Sequence, residues 1–526
     1  MKRVIAIVLM AAMMLVFASC SSGSNQAATT STATTQVATA STATSTGPDT
    51  SKFVELTWMY EGSAVVDDSA VMEKVNAYLK DKLNCKLTMK WESWGDFDNK
   101  ETLAINGGDP VDIYFTSGWN AMEYTAMAKK GAFVRLDDPS NNILQKDAPD
   151  LFKTIPQVLS DAAMVKGANG MGVYAIPTYK EIAQQYVWNF NMPILQKYGI
   201  TPDQVTDLKS LAPLLEKIKK GEGKDFYPIN SDYTVWARAN TNTDMIDANM
   251  LLDYTFDPAH PAQSTSVINS RFENPTFAAY AATMRDYFQK GYVNPAATTN
   301  ADAMNQTWTN TLKSGKWAFE IYPYYPGYEN TQTSQYKYQF AVKPVQAGII
   351  SSTSSRGAMN AVSVTSKNPD RALMLLNLVN TDPTLRTLLT DGVEGVQYTK
   401  DSNGRVTFTA KKNDYGVWAA GLGNITILPL QATDPANLYT ELFPKFNNAE
   451  ALPILGYSFD QDPVKTQMAS LNNLEKQYGL GLFTGASDPA KTLPEFTQKL
   501  KAAGIDDVVK EANNQMQTFL SDKKAK

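Results

Sequence analysis

Apolar residues alternate, or recur at helical spacing, along the first third of the chain in an order that predicts strands and helices in turn. Residues 54–59 alternate in the manner of a strand. After Ser69 an apolar stripe falls at helical spacing, formed by Val71, Met72, Val75, Leu79 and Leu83. A strand over 87–91, a helix over 98–106 and a strand over 111–115 follow. This rhythm predicts βαβ units and a parallel sheet.

The stretch 172–193, GVYAIPTYKEIAQQYVWNFNMP, contains two β-rich runs separated by a proline and a polar turn. The runs are residues 173–176 and 186–190. Because proline has no N–H to donate into a sheet, Pro177 predicts the end of a strand. We interpret the stretch as chain that leaves one sheet and enters another.

The same patterns continue to the C-terminus. An apolar stripe from Leu208 to Ile218 predicts a helix, and Ser402-Asn403-Gly404 is a favourable two-strand hairpin turn. Further strands are predicted over 226–229 and 317–321, and further helices over 371–379, 464–478 and 493–520.

The N-terminus has the pattern of an export signal. Lys2 and Arg3 precede an apolar run that ends at Phe17, which is too short to span a bilayer comfortably. The ending Ala18-Ser19-Cys20 resembles a bacterial lipobox, which implies a signal peptide over 1–19 and lipid on Cys20. Residues 20–51 are rich in Ser, Thr and Ala, and we expect a disordered tether there.

Composition narrows the chemistry of the remaining body. The net charge is −5 and no long basic run occurs, so nucleic acid is not an expected partner. The chain has one histidine, His260, and it has no HExxH, CxxC or glycine-rich phosphate motif. We therefore expect no metal, no cofactor and no catalytic triad. The body from Lys52 onward is too long for one typical core, so two lobes are expected.

The candidate chemistry lies at strand ends. Ligands of parallel sheets bind outside the carboxyl ends of the strands. Six polar or aromatic residues occupy such ends here, namely Tyr60, Glu61, Trp91, Trp94, Trp119 and Asn120. Aromatic rings can stack on the C–H faces of sugars, and carboxylates and amides can bind hydroxyl groups. The sequence therefore favours a carbohydrate ligand.

Six segments of the body carry a family resemblance, namely NGGDPVDIYFTSGWNAMEYTAMAKKGAFVRLD, GMGVYAIPTYKE, NMPILQKYGITPDQVTDLKSLAPLLEKIKKGEG, ENPTFAAYAATMRDYFQKGYVNPAA, LKSGKWAF and NPDRALMLLNLV. They resemble segments of the bacterial extracellular solute-binding proteins of the sugar-transporter class, the maltodextrin-binding-protein-like group. The C-terminal third, with TDGVEGVQYTKDSNGRVTF and GYSFDQDPVKTQMASLNNLEKQYG, resembles one lipoprotein subfamily.

The resemblance implies an α/β fold of two lobes with crossing hinge strands and a ligand cleft between the lobes. We expect lobe 1 over 52–177 and 358–420, and lobe 2 over 178–357 and 421–526. It also implies a monomer that is anchored to the cell membrane on its extracellular face and delivers its ligand to an ABC permease.

The resemblance adds cleft residues in the second lobe and in the crossing segments. Stacking is expected from Trp119, Tyr233, Trp236 and Tyr322, and hydroxyl binding from Glu61, Asn120, Glu320, Arg356 and Asp460. The expected ligand-binding set is completed by Tyr60, Trp91, Tyr179 and Tyr457.

Two alternatives remain open from the sequence. The ligand could be a non-sugar solute such as a peptide or a polyol. The chain could also be a surface glycoside hydrolase, although no motif pairs the two carboxylates which that chemistry requires.

Overall fold

The structure is a computed structural model, and it describes residues 49–62, 64–120, 123–230, 232–247, 249–264 and 267–525. The predicted signal peptide, the predicted lipidation site Cys20 and nearly all of the predicted tether lie outside these residues. No described helix is both long enough and apolar enough to cross a membrane.

The described strands are β1 Val54–Glu61, β2 Ala64–Val65, β3 Cys85–Glu92, β4 Ile113–Thr116, β5 Met164–Gly167, β6 Gly170–Val173, β7 Ile176–Pro177, β8 Tyr186–Asn191, β9 Thr243–Met245, β10 Leu252–Thr255, β11 Ile268–Ser270, β12 Phe319–Pro323, β13 Phe340–Pro344, β14 Ile349–Ile350, β15 Met359–Val362, β16 Tyr398–Lys400, β17 Val406–Phe408, β18 Tyr415–Gly416 and β19 Glu450–Ala451.

The described α-helices are α1 Ser69–Leu83, α2 Phe97–Gly107, α3 Tyr124–Lys130, α4 Ile143–Asp147, α5 Gln157–Ala163, α6 Met192–Lys197, α7 Leu211–Glu222, α8 Tyr233–Thr241, α9 Pro275–Gln289, α10 Ala301–Ser314, α11 Tyr328–Tyr336, α12 Ser352–Ser355, α13 Pro369–Thr381, α14 Pro383–Asp391, α15 Ala419–Leu422, α16 Phe443–Phe446, α17 Lys465–Thr484, α18 Pro489–Ala502 and α19 Ile505–Ala525. Short 3-10 turns and one π-helical turn, Leu438–Leu442, complete the helical structure.

The first sheet has the strand order β3-β1-β4-β15-β7. β1 pairs in parallel with β3, from Val54 opposite Cys85 to Glu61 opposite Glu92, and in parallel with β4. The parallel βαβ arrangement predicted from the apolar pattern is therefore confirmed. β15 returns much later in the chain and runs antiparallel to both β4 and β7.

The second sheet differs from the βα rhythm expected for its sequence. Its order is β12-β8-β13, and both pairs are antiparallel. The predicted strand over 226–229 is reduced to bridges from Ile229 to Val293 and Phe319. The reason is local, because Pro228 has no N–H to donate and contributes only its carbonyl, which accepts from Ala318 and Phe319.

Two separate hydrophobic cores accompany these sheets. One core is built from residues within 54–176 and 358–422, and the other from residues within 186–349 and 452–516. The molecule thus has the two-lobe α/β fold. We propose the boundaries given above for lobe 1 and lobe 2 as the limits of these bodies.

The lobes are joined by crossing segments. The first leaves lobe 1 after β7 and reaches β8. The second runs through α12, where the side chain of Ser351 caps the helix, and continues into β15.

The predicted helix over 493–520 is wrong in one respect. It is split into α18 and α19 at Gly504, whose φ of +93° favours glycine.

Candidate functional site

The carboxyl ends of β1, β3 and β4 lie side by side at one edge of the first sheet. Tyr60 is opposite Trp91 and Glu61 is opposite Glu92, while β4 leads directly into the segment that holds Trp119 and Asn120. The structure therefore brings the strand-end residues of lobe 1 together, as their spacing implied.

Three tryptophans form a surface here, which we call the tryptophan platform: Trp94, Trp119 and Trp418. The ring centroid of Trp94 lies 5.9 Å from that of Trp119 and 5.1 Å from that of Trp418. Trp94 is 51% exposed although it is a large apolar side chain. An exposed aromatic surface of this kind is typical of a binding site.

Hydrogen bonds and two glycines hold the platform in place. The indole N–H of Trp119 donates to the Gly357 carbonyl at 2.6 Å, and the Tyr60 hydroxyl donates to the Trp418 carbonyl at 2.5 Å. Gly62 has a φ of +81°, and a Cβ there would overlap the Trp94 ring. A Cβ at Gly421 would likewise overlap Trp418. The chain can approach both rings only because these side chains are absent.

Tyr60 and Trp91 lie behind the platform. The Tyr60 ring is fully buried and makes edge-to-face contacts with Trp91 at 5.8 Å and with Phe115 at 5.8 Å. Trp91 donates its indole N–H to Asp68 at 2.8 Å. The ring of Tyr60 is enclosed by protein, so it supports the site surface without forming it, contrary to the expectation of direct contact.

Two buried polar side chains, which adjoin these rings in sequence, have polar atoms without a hydrogen-bond partner. Both amide atoms of Asn120 lack hydrogen-bond partners although the residue is 4% exposed. Glu61 is 2% exposed and its Oε2 atom has no partner. Burial raises the pKa of Glu61 to about 8, and repulsion from Asp98 adds to the effect. Buried polar groups without partners are rare, and they mark places where a ligand can supply the missing bonds.

The second sheet presents another aromatic and carboxylate cluster. Tyr322 is stacked between Trp308 at 5.6 Å and Tyr328 at 5.1 Å, with interplanar angles of 23° in both cases. Glu320 is fully buried and accepts from the Trp308 indole N–H, and from Asn189 Nδ2 at 2.6 Å. Burial raises the pKa of Glu320 to about 7, although both hydrogen bonds oppose the rise.

A cavity of about 160 Å³ opens beside this cluster. Its walls include Asn230 and Tyr233 at the start of α8, together with Tyr227, Asn294 and Trp308. Tyr233 therefore lines accessible space, although it is only 1% exposed. No such space adjoins Trp236 among the described cavities. Trp236 is fully buried and packs edge-to-face on Trp188 at 5.6 Å, so it belongs to the core of lobe 2.

The remaining predicted residues lie along the crossing segments and the C-terminal region. Tyr179 is half-buried, and its carbonyl accepts from the Ile425 N–H at 2.9 Å. Arg356 is 2% exposed and donates to the carbonyls of Ala162 at 2.8 Å and Gly456 at 3.2 Å.

Tyr457 and Asp460 are occupied by protein partners. Tyr457 donates its hydroxyl to the Ala512 carbonyl at 2.8 Å, and its ring packs on Phe519. Both oxygens of Asp460 accept from Lys129 at 2.6 and 2.7 Å. The structure does not place either side chain with the tryptophan platform, and both serve contacts within the protein.

Sequence reasoning missed Trp418 and Trp308. Trp418 occupies a glycine-bounded segment, GVWAAGLG, which has the same character as the segments that hold the other site tryptophans. Trp308 falls within α10 without an unusual sequence context.

Among the described residues, no group of three or more His, Cys, Asp or Glu side chains could hold a metal ion.

A family model described as bacterial extracellular solute-binding protein matches residues 62–384, and the chain belongs to that family. A second model, a domain of unknown function (DUF3502), matches residues 453–521. The family resemblance read from the sequence is thereby confirmed.

Named relatives agree with this assignment. A carbohydrate ABC transporter substrate-binding protein of Streptococcus pneumoniae serotype 4 is 29% identical over 474 residues, which cover 86% of this chain and 88% of that protein. The crystal structure of the N-glycan transport solute binding protein NgtS from Streptococcus pneumoniae has a TM-score of 0.76 at 25% identity, covering 90% of this chain and 100% of that one. NgtS in complex with Man5GlcNAc has a TM-score of 0.73 at 25% identity, covering 90% and 99%.

Proposed function

We propose that this protein is the extracellular binding component of an ABC importer for carbohydrate. It captures an oligosaccharide between its lobes and delivers it unchanged to the membrane permease. Membership of the solute-binding family supports this proposal, as do relatives named for carbohydrate and N-glycan transport. The proposal favours a glycan over the peptide or polyol that the sequence left open.

The observation that carries the proposal is the tryptophan platform beside unpartnered polar groups. Trp94, Trp119 and Trp418 offer aromatic area to the C–H face of a sugar ring. Asn120 and Glu61 retain buried hydrogen-bonding atoms that sugar hydroxyls can satisfy. A flat apolar face combined with a few buried polar groups matches the amphipathic character of a sugar better than that of a wholly apolar ligand.

We assign the opposite wall of the cleft to lobe 2. Tyr233, which lines the cavity, would supply an aromatic contact. Tyr322, whose ring lies between Trp308 and Tyr328, and Glu320, whose oxygens accept from Asn189 and Trp308, would hold that wall in place. We assign supporting roles to Tyr60, Trp91, Trp236 and Tyr457, because protein encloses them or occupies their polar atoms. Tyr179 and Arg356 would act where the chain crosses between the lobes.

We further propose that the protein is a monomer held to the outside of the cell membrane. Cys20 would carry the lipid after removal of residues 1–19, and residues 20–51 would form the tether. An extended tether of this length could reach up to roughly 100 Å. Metabolic labelling with a fatty-acid analogue tests this step, since Cys20→Ser would abolish the incorporation.

A thermal-shift screen with an oligosaccharide panel tests the ligand class. A ligand at one hundred times its dissociation constant adds roughly 2.7 kcal/mol to the free energy of unfolding. Mannosyl-N-acetylglucosamine oligosaccharides are screened first, and peptides and polyols are screened as the alternative ligand classes. Stabilisation by a peptide or polyol alone would refute the carbohydrate assignment.

A reducing-end assay on the sugar that binds tests the alternative of a glycoside hydrolase. We expect no new reducing ends to form, whereas their formation would show hydrolysis and favour the hydrolase.

A further inference from the structure

The segment Gly456–Asp462 lies at the start of the domain of unknown function and contacts three parts of the molecule. We call it the strap. Within lobe 2 it is fixed to α19, where the Asp460 N–H donates to Gln515 Oε1 at 2.8 Å and Gln515 Nε2 donates to the Asp460 carbonyl at 3.0 Å. This reciprocal pair anchors the strap backbone to a helix of the same domain.

The strap also contacts the second crossing segment. The Gly456 N–H donates to Ser352 Oγ at 3.0 Å, and Arg356 donates to the Gly456 carbonyl at 3.2 Å. The same guanidinium group donates to the Ala162 carbonyl of lobe 1 at 2.8 Å. Arg356 is 2% exposed, so its two carbonyl partners are joined by a buried cation. Charge-assisted hydrogen bonds of this kind are stronger than neutral ones.

Beyond the crossing segment, the strap reaches the α3 helix of lobe 1. The hydroxyl groups of Ser458 and Thr125 are 2.5 Å apart. One turn further along α3, the Lys129 ammonium group lies 2.6 Å from Asp460 Oδ2 and 2.6 Å from Asp462 Oδ2. A single cation of lobe 1 is thus held by two carboxylates of lobe 2.

We propose that the strap sets the angle between the lobes, and that this is a role of the domain of unknown function at 453–521. A rotation of lobe 1 about the crossing segments carries α3 away from the strap and separates Lys129 from both carboxylates. The bonds from Gln515 hold Asp460 in place beforehand, so little side-chain freedom is lost when the ion pairs form. The consequence for ligand capture rests on the proposed function, whereas the effect on the lobes does not.

Interlobe distances measured without ligand by double electron–electron resonance test the proposal. The chain from residue 20 onward carries Cys20→Ser, with spin labels at Leu103→Cys and Lys220→Cys. Leu103 lies on α2 and is 72% exposed, and Lys220 lies on α7 with a side chain that is 75% exposed. Cys85 is buried and stays unlabelled.

In the Lys129→Glu variant, we expect the population of the main interlobe distance to change about two- to fivefold, the range for partly exposed ion pairs. Adding Asp460→Lys and Asp462→Lys should restore the original distribution, since the charges are then exchanged. Lys129→Gln serves as a milder change if the charge reversal lowers the yield of folded protein. Lys290→Glu is the matched control, because Lys290 directly follows α9 and pairs with Asp286 of that same helix at 2.6 Å.

A distance distribution that is the same in wild type and in both Lys129 variants would overturn the proposal. A shift that the charge exchange does not reverse would also overturn it, because the effect would then come from net charge. No sugar takes part in the measurement. A protein that binds no carbohydrate can still show the shift, and one that binds carbohydrate can still fail to show it.

Discussion

Trp119 donates its indole N–H to the carbonyl of Gly357 at 2.6 Å, a bond that joins the end of β4 to the second crossing segment. The residue that follows β4 at the platform is therefore tied directly to the chain that leads between the lobes. A change in the crossing segment would be transmitted to this ring, and a ligand that presses on the ring would act on the crossing segment. Under the proposed function, ligand recognition by Trp119 and movement of the lobes would share this hydrogen bond.

Replacing Trp119 with phenylalanine separates the two roles of this side chain. The ring remains available for stacking, but the bond to Gly357 is lost. A hydrogen bond of this kind contributes about 0.5–1.5 kcal/mol, so we expect carbohydrate affinity to fall about two- to tenfold in calorimetric titration. Unchanged affinity would show that the bond does not position the ring.

Replacing Trp94 with alanine should weaken carbohydrate binding at least tenfold while leaving the melting temperature unchanged. The side chain is 51% exposed, so its contribution to the core is small. Truncation of a tryptophan at the centre of a binding surface typically costs about 2 kcal/mol or more. Phe53→Ala is the matched control, since Phe53 is 48% exposed and lies just before β1. Equal effects of the two variants on carbohydrate affinity would show that the tryptophan platform is not part of the binding site.

Glu61 should make the free energy of unfolding fall as pH rises. Its carboxyl group has a pKa of about 8 in the folded protein against 4.5 as its ordinary value, mainly because it is buried. Between these values the folded state holds a proton that the unfolded chain releases, so stability declines from about pH 4.5 to about pH 8. The slope contributed by this one group reaches at most about 1.4 kcal/mol per pH unit.

Urea unfolding at several pH values measures that slope. In Glu61→Gln, the part of the slope that comes from the Glu61 proton should be lost. The gain in the free energy of unfolding over wild type should be largest at pH 8. Glu55→Gln, on the same strand with a side chain that is 71% exposed, should leave the slope as it is. The raised pKa of Glu61 would be contradicted if the wild-type free energy of unfolding rose from pH 4.5 to pH 8 and Glu61→Gln showed the same pH dependence.

The buried ion pair between Arg271 and Asp253 should be the most costly pair to break. Both side chains are at most 1% exposed. Asp253→Asn leaves an uncompensated buried cation, which typically costs about 3–5 kcal/mol. Asp286→Asn breaks an exposed pair with Lys290 and should cost less than about 1 kcal/mol in the same urea titration. Similar losses from both variants would mean that burial of the pair has little energetic weight.

The order of elements in lobe 1 could be predicted because the apolar period alone distinguishes its helices from its strands. The antiparallel pairing in lobe 2 could not, since β8 meets β12 and β13 across more than one hundred residues of intervening chain. The break between α18 and α19 was present in the sequence as Gly504, where a helix end needs the left-handed conformation.

Only part of the candidate site could be predicted from the sequence, for a related reason. Trp119 and Asn120 follow a predicted strand, so their position at the sheet edge follows from the topology. Trp418 reaches the same edge only because the chain returns through β15 and later segments, which no local pattern reveals. Tyr60 and Trp236 have the residue types of a sugar site, but their complete burial depends on long-range packing.

Isothermal titration calorimetry of the folded protein with a mannosyl-N-acetylglucosamine oligosaccharide tests the central claim most directly. We predict one ligand bound per chain, with an affinity that Trp94→Ala reduces at least tenfold and Phe53→Ala does not. Absence of binding by any oligosaccharide of the panel, together with binding of a peptide or polyol, would contradict the account.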